Sequence, residues 1–524
     1  MIPKKLLFAA AVGLAATMGA AHASDLIIGS STEPSAIDPE FSRTGNNQNI
    51  AMQVFDRLVT TDANLQMHPG LAASWKNVDP TTWDVTLRSG VTFQDGHKMT
   101  AADVIFSLDR ANKIANSPAP FSGNVASIAS MKPVGPLTIE FKTKTPTPDF
   151  MEQIGFVYIV EKSVAENASL NDFNSGKAAI GTGPYKFVQW VPGDHITLQR
   201  NDHYWGKEPD FEKVTIKFIS NDAARVAALR SGSVDLIDAV PPDDLKTLSG
   251  SSGIKVYSTP SARLIYLALD TTRDKTPDIT DRSGKPLDKN PLKSLDVRKA
   301  MSEMINRKLI IDRILDGSGV PAGQLVPEGV AGYNPALKAP AYDPKNAKAL
   351  LAKAGYPDGF GITIHSSNDR FPGDADVAQA VGQMFARGGL KVNGVATQPY
   401  NVYTTAATKQ KFSDFIFSLG NTTPTSAAGL KNLLMTRDKK AGTGSFNRSR
   451  YSNKSFDDQM VKAMQEFDPK KRVELIEQAT KTAFDDVAII PLYWQKVHWA
   501  AKANIAYDAN KSEETSAALA HLAK

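Results

Sequence analysis

Residues 181–206 read GTGPYKFVQWVPGDHITLQRNDHYWG. In an extended chain Tyr185, Phe187 and Gln189 share one face, and Lys186, Val188 and Trp190 share the other. Val191, Pro192, Gly193 and Asp194 suit a type II turn, with Pro at the second position and Gly supplying positive φ at the third. Ile196 and Leu198 then alternate with His195, Thr197 and Gln199, so the return strand has one apolar face. A β-hairpin explains these two strands. It does not explain the Gly-Thr-Gly-Pro before them or the Tyr-Trp-Gly after them, because a generic hairpin needs neither.

The chain has 524 residues and opens with Lys4 and Lys5, followed by an apolar run over 6–16 and then Ala21, His22 and Ala23. This order predicts a secretory signal peptide over residues 1–23, cut after Ala23. The apolar run is shorter than the roughly 20 residues a membrane span requires. Removing the leader takes away two lysines and no acid, so the formal charge of +5 falls to +3. Lysines and acids are interspersed, which gives no ground for a nucleic-acid partner. The chain has no cysteine. Disulfides, thiolate catalysis, zinc thiolate sites, iron–sulfur clusters and a lipid anchor on an N-terminal cysteine are excluded. At roughly 100–200 residues per domain, the length predicts two or three domains held by core burial alone.

Helix and strand patterns alternate along the chain. Trp83, Val85 and Leu87 mark one strand, and Val91 with Phe93 the next. Thr100 caps a helix with Asp103 in an acidic capping box. Asn221 or Asp222 opens another helix, which stops at Gly232. Asp296 opens a third, Asp343-Pro344 a fourth that ends before Gly355, and Asp468-Pro469 a fifth. Residues 271–294 read as a long exposed polar loop, and 421–445 as a second irregular stretch. The apolar strand at 487–493 comes after a run of helices and suits a return to a sheet begun far upstream.

The 181–206 stretch resembles the signature of the peptide/nickel branch of bacterial extracellular solute-binding proteins, which feed ABC importers. Further matches follow in the family's order: EPSAIDP (33–39), VFDRLV (54–59), PGLAASW (69–75), WDVTLRSGVTFQDGHKMTAADVIFSLDR (83–110), LDVRKA (295–300), YDP (342–344) through AGYPDG (354–359), YSN (451–453) and IPL (490–492). The resemblance implies an α/β, two-lobed periplasmic binding protein with a hinge, plus an extra subdomain inserted in the first lobe. On this pattern lobe one covers 24–265 with the insertion at about 60–175, lobe two covers 266–486, and 487–524 return to lobe one. The crossings are expected near 263–270 and 487–494. The implied partners are a small solute, peptide or peptide-like, and ABC permease subunits with cytoplasmic ATPases. A monomer is expected, without cofactor or nucleic acid.

A secreted hydrolase is the rival class. The chain has no His-Glu-x-x-His, no Gly-x-Ser-x-Gly and no phosphate-binding Gly-Lys-Ser/Thr loop. Pairs such as Asp243-Asp244 and Asp457-Asp458 sit at turns or helix starts, where capping accounts for them. No catalytic residue and no metal ligand is expected. For binding, strand ends are the natural places to look. Ser31, Thr32 and Glu33 follow the first strand. Asn368, Asp369 and Arg370 follow the strand at 362–365, and Arg370 suits an anionic ligand group, with a surface salt bridge as the competing reading. Tyr493 and Trp494 end the returning strand, where either a pocket wall or core packing suits them. Ser418, Gly420 and Asn421 end the strand at 415–419. Peptide-binding members of the family commonly carry an aromatic residue and then an aspartate here, the aspartate pairing with the ligand's α-amino group. This chain runs into Asn421, Thr422, Thr423 and Pro424, with no acid and no Trp. That departure leaves opines, modified or glutathione-like peptides, sugars and a nickel chelate as alternatives.

Overall fold

The computed structural model describes residues 25–523, so the leader expected over 1–23 lies outside the described residues. Two long antiparallel strands, Ile254–Leu269 and Ile489–Lys502, form the spine. They carry one sheet through both lobes of an α/β fold. Its order is Asp414–Gly420, Ile254–Leu269, Ile489–Lys502, Leu236–Ile237, Leu26–Ser30, Lys213–Phe218, His195–Arg200 and Tyr185–Val191, with Gly319–Pro321 also paired to Ile489–Lys502. The late apolar strand therefore does return to a sheet begun upstream, and it runs well past residue 493.

Over 264–269 and 489–494 the spine is buried on both faces, so alternate residues feed different cores. Ile265, Leu267 and Leu269 pack with Met301, Val381 and Phe385. Leu264, Tyr266 and Ala268 pack with Tyr403, Phe456 and Ile476. In the other lobe Leu26, Ile28, Tyr185, Ile196 and Trp499 share a third core. A separate antiparallel sheet, ordered Ala72–Asp79, Thr82–Leu87, Thr138–Thr143 and Ile128–Gly135, has its own core around Trp83, Val85, Phe141 and Phe150.

The spine's register breaks between the lobes. Pro260 pairs with Lys496, and the next pair is Leu264 with Trp494, so Ser261, Ala262 and Arg263 stand opposite Gln495. The groups freed from the ladder find other partners, as buried backbone must. Ser261 Oγ donates to Gln495 O at 2.9 Å, Ala262 N donates to Lys511 O at 3.0 Å, and Ala262 O accepts from Asn421 N at 2.9 Å. Beside the break His498 is buried between two hydroxyls, with Nδ1 2.6 Å from Ser258 Oγ and Nε2 2.9 Å from Ser318 Oγ.

The helix ends follow the local sequence cues. The Thr100–Asp103 capping box opens helix Ala101–Ala111. Asn221 accepts from Ala224 N at the start of Asp222–Ser231, and Gly232 closes it at φ +79°. Asp343 caps Pro344–Lys353, and Asp468 caps Pro469–Asp485. The helix expected from Asp296 runs over Leu295–Glu303, with Ser294 before it. One expectation needs correction. Val91 and Phe93 are buried in a turn held by one bridge, Thr92 to Lys98, and form no strand. Residues 271–294 form the expected long and mostly exposed loop, anchored at a few points: Thr280 bridges Gly361, Asn290 Nδ2 donates to Asp270 O at 2.8 Å, and Leu292 is buried.

The ends of the 181–206 hairpin gain their reason here. Asp194 N donates to Val191 O at 3.0 Å and Gly193 has φ +77°, as a type II turn requires. Gly181 presses on the backbone of Val54, where a Cβ would stand 2.0 Å from the Val54 oxygen. The close approach brings Thr182 to Asp56, with Oγ1 donating to Oδ2 at 2.9 Å. From the far end of the hairpin Trp205 Nε1 donates to the same Oδ2 at 2.8 Å, and Tyr204 OH reaches Oδ1 at 3.4 Å. Burial raises the Asp56 carboxyl pKa, and these hydrogen bonds together with the Arg57 charge oppose the rise.

Asp56→Ala strips three donors of their acceptor in a buried site. Urea unfolding should show a loss on the order of 3 kcal/mol. A loss within error of zero would mean that Asp56 does not hold the hairpin. A second prediction concerns acid. Burial, then the Lys496 charge, lower the His498 pKa to about 4. The unfolded imidazole takes its proton near pH 6.5, so the stability that neutral His498 contributes is complete above pH 6.5 and is lost as the pH falls towards 4. His498→Gln, which cannot be protonated, should show a shallower fall in stability over that window. Equal slopes would contradict the assignment.

Candidate functional site

A cavity of about 370 Å³ opens between the lobes. Arg43, Gly45, Gln48 and Asn49 line one side from the start of helix Gly45–Val54, and Arg57 and Val59 extend that wall. Glu152 and Phe156 come from helix Phe150–Ile154 and the turn after it. Arg370, Gly420, Thr422 and Pro424 face them from the other lobe. Arg263, at the break in the spine, and Ser512, Glu513 and Glu514 also line the cavity.

The charged groups fall into two sets. Arg263 grips Glu513 with a two-pronged contact, Nε to Oε1 at 3.0 Å and Nη2 to Oε2 at 2.7 Å. Glu152 is paired with Arg472, Nη2 to Oε1 at 3.0 Å, and also accepts from Thr425 Oγ1 at 3.4 Å. Burial raises the Glu152 carboxyl to about 7 against the opposing charge of Arg472. The second set is Arg43, Arg57 and Arg370. Each of these guanidinium groups lies over an aromatic ring: Arg43 over Phe156 at 5.8 Å, Arg57 over Tyr158 at 5.3 Å and Arg370 over Tyr400 at 5.0 Å.

Several contacts bridge the lobes at the rim. Arg472 reaches across from helix Pro469–Asp485, and its Nη1 donates to Pro148 O at 2.7 Å. Gln66 Nε2 donates to Gly329 O at 2.7 Å. A second, larger hollow of about 620 Å³ adjoins Arg57 and is lined by Tyr158, Tyr204, Tyr507 and other residues of one lobe. The 370 Å³ cavity is lined from both lobes and holds the charged groups described above, and it is the candidate site.

Of the residues singled out from the sequence, Arg370 and Gly420 line this cavity. The others do not. Glu33 is engaged elsewhere, accepting from Trp190 Nε1 and Gly193 N, both at 2.9 Å, and so pins the hairpin. Ser31 N donates to Asp238 Oδ1 at 2.7 Å, and Thr32 is exposed beside it. Asp369 accepts from Tyr400 N at 2.7 Å, while Asn368 N donates to Gln398 O at 3.1 Å. Ser418 pairs with Ile265 in the ladder. Asn421 is buried in its own turn and donates to Thr425 O at 3.2 Å. Tyr493, 1 % exposed, and Trp494, 6 % exposed, are core residues. They fall on opposite faces of a strand covered on both, one in each core, which leaves neither face for the cleft.

Arg43, Arg57, Glu152, Arg263, Glu513 and Glu514 were not singled out. Two of them had a signal. Arg263 is a charge at the head of the apolar run LIYLAL, and Arg57 lies between Asp56 and the apolar pair Leu58-Val59.

Comparison with known proteins agrees with this architecture. The profile described as "Bacterial extracellular solute-binding proteins, family 5 Middle" matches residues 66–441. The chain is 28 % identical over 503 residues to the "Probable D,D-dipeptide-binding periplasmic protein DdpA" of Escherichia coli, covering 92 % of each chain. It is 27 % identical over 504 residues to the "Glutathione-binding protein GsiB" of the same species, covering 94 % of each. Among solved structures it is similar to HbpA2 from Haemophilus parasuis, with TM-score 0.81 and 24 % identity over 96 % of this chain and 100 % of that one. With the profile spanning well over half its length, the chain belongs to the bacterial extracellular solute-binding proteins, family 5.

Proposed function

We propose that this protein is the periplasmic substrate-binding component of an ABC importer. It captures a peptide or peptide-like solute between its lobes and delivers it to the membrane permease, while cytoplasmic ATPases supply the energy. The protein itself does no chemistry. The observation that carries this reading is the cavity lined from both lobes, crossed at the back by two strands whose register breaks between them. Such a break gives a few residues the freedom to absorb a hinge rotation. On this reading 24–265 and 487–524 form one lobe, with an inserted unit at about 60–175, and 266–486 form the other. Secretion uses the 1–23 leader.

The cavity volume of about 370 Å³ is at the small end of the range of roughly 300–1,000 Å³ usual for small-molecule sites. That favours a solute of di- or tripeptide size. A second reading, a peptide-like solute such as an opine or a γ-linked peptide, rests on the segment after Asp414–Gly420. It offers Asn421, Thr422, Thr423 and Pro424 where an acid would hold an α-amino group.

A solute that binds only the folded state, at about 100 times its Kd, adds about 2.7 kcal/mol of stability. A thermal-shift screen of short peptides and opines should raise the melting temperature by a few degrees for some member. A response to metals or sugars alone would contradict the peptide reading. Arg472→Ala removes the rim contacts to Glu152 and Pro148 without touching the arginines of the cavity. It should weaken the responding solute several-fold, mainly through faster release. An unchanged release rate would mean that the rim contacts play no part in holding the lobes together.

A further inference from the structure

Three arginines reach the cavity from separate parts of the chain: Arg43 before helix Gly45–Val54, Arg57 after it, and Arg370 beyond strand Gly361–Ser367 in the opposite lobe. Among the described residues no carboxylate oxygen lies within 4.0 Å of their guanidinium nitrogens. Arg43 Nη1 donates to the Asn124 amide oxygen at 2.7 Å. The Arg57 and Arg370 guanidinium groups have no hydrogen-bond acceptor among the described residues. Each of the three is instead laid on an aromatic ring. An electrostatic contact with a ring does not use up the guanidinium's N–H fork, and that fork matches a carboxylate through two parallel hydrogen bonds.

The acids of the cavity do not balance these charges. Glu513 is engaged by Arg263, and Glu152 by Arg472. Glu514, held by Ser512 Oγ at 2.9 Å, is the one cavity carboxylate outside an ion pair among the described residues. Three guanidinium groups outside ion pairs therefore face one cavity carboxylate outside an ion pair, Glu514, whose charge acts on Arg57 together with that of Asp56. Gly45, the first residue of its helix, also lines the cavity, so the positive end of a ten-residue helix adds to the same sign. Closing the lobes removes water and strengthens the interactions these charges make. A neutral solute would leave cations unpaired in the closed cleft, which is costly.

From this arrangement we infer that the solute is an acidic one. It carries at least two carboxylates spaced to reach Arg57 in one lobe and Arg370 in the other, and no more than one ammonium, which Glu514 receives. An acidic dipeptide or tripeptide, a γ-linked glutamyl peptide and an opine-type N-carboxyalkyl amino acid share this chemistry. The inference rests on the cleft being the solute site, and it adds sign and valence to that reading. Because Arg57 and Arg370 stand in different lobes, a solute that bridges them also ties closure to its own charge.

The test is calorimetric titration of the mature protein with three probes at low salt: Ala-Glu-Glu, its isostere Ala-Gln-Gln, and N-(1-carboxyethyl)glutamate. At least one acidic probe should bind ten times or more tighter than Ala-Gln-Gln, and the difference should shrink as salt is added. Arg57→Gln and Arg370→Gln should each move the ratio of acidic to neutral affinity towards one. Arg57→Lys, which keeps the charge and loses the fork, should fall between. Arg370 is exposed, so its variant keeps the test sound if Arg57→Gln fails to fold. Equal or tighter binding of Ala-Gln-Gln overturns the inference and leaves the peptide-binding reading intact. Binding of N-(1-carboxyethyl)glutamate alone supports the inference and removes the peptide from the reading. No binding of any probe, or a ratio unmoved in both Gln variants, overturns the inference.

Discussion

One buried carboxylate organises the lobe that holds the N-terminal strand. Asp56 accepts from Thr182 and Trp205 at 2.9 and 2.8 Å, and from Tyr204 at longer range. These donors lie more than a hundred residues downstream and flank the same hairpin. Taking a carboxylate out of water is expensive unless donors replace the water, so Asp56 is worth burying only if the hairpin arrives in one register. Gly181 and Gly183 make that arrival possible, because side chains there would collide with the backbone of Val54. Gln94 reinforces the junction, its Nε2 donating to Tyr185 O at 2.7 Å and to Val54 O at 3.1 Å. The segment thus fixed ends in Arg57, the next residue along, which faces the cleft. The hairpin never touches the candidate site, yet it sets where one of the site's cations stands.

The second constraint is the spine. A sheet continuous through both lobes would be stiff if its ladder ran unbroken. The ladder stops at Ser261, Ala262 and Arg263, and partners from the C-terminal segment take over: Lys511 O, and Glu513 through Arg263. Bending there exchanges a few satisfied contacts at the break. On the proposed reading this is what lets a solute decide the balance between open and closed forms. A ligand shifts such a balance only by its difference in affinity for the two forms, and groups that reach the solute from both lobes supply that difference.

Much of the fold could be read from the sequence because its cues are local. Capping residues such as Thr100, Asn221 and Asp343 act within one turn of chain, and the Val191–Asp194 turn within four residues. The apolar strand late in the chain was legible for its composition, although its length was not, since residues 495–502 mix polar and apolar types. The site was much less legible. Its charged pairs join positions far apart, Arg263 with Glu513 across 250 residues and Arg472 with Glu152 across 320. Nothing in local spacing announces them. Tyr493 and Trp494 misled because strand ends in α/β folds usually open onto a ligand, whereas here the strand continues past them, covered on both faces. Glu33 misled in a similar way: the first strand does end at the expected place, and its acid is consumed in holding Trp190 and Gly193.

The most direct measurement is a crystal structure of the protein with the solute it retains when purified from its own host. One solute molecule is expected in the cavity between the lobes, with carboxylate oxygens within hydrogen-bonding distance of the guanidinium groups of both Arg57 and Arg370. A solute lodged instead in the hollow bordered by Tyr333 and Trp494, or one in the cleft that leaves both arginines without an anionic partner, would contradict it.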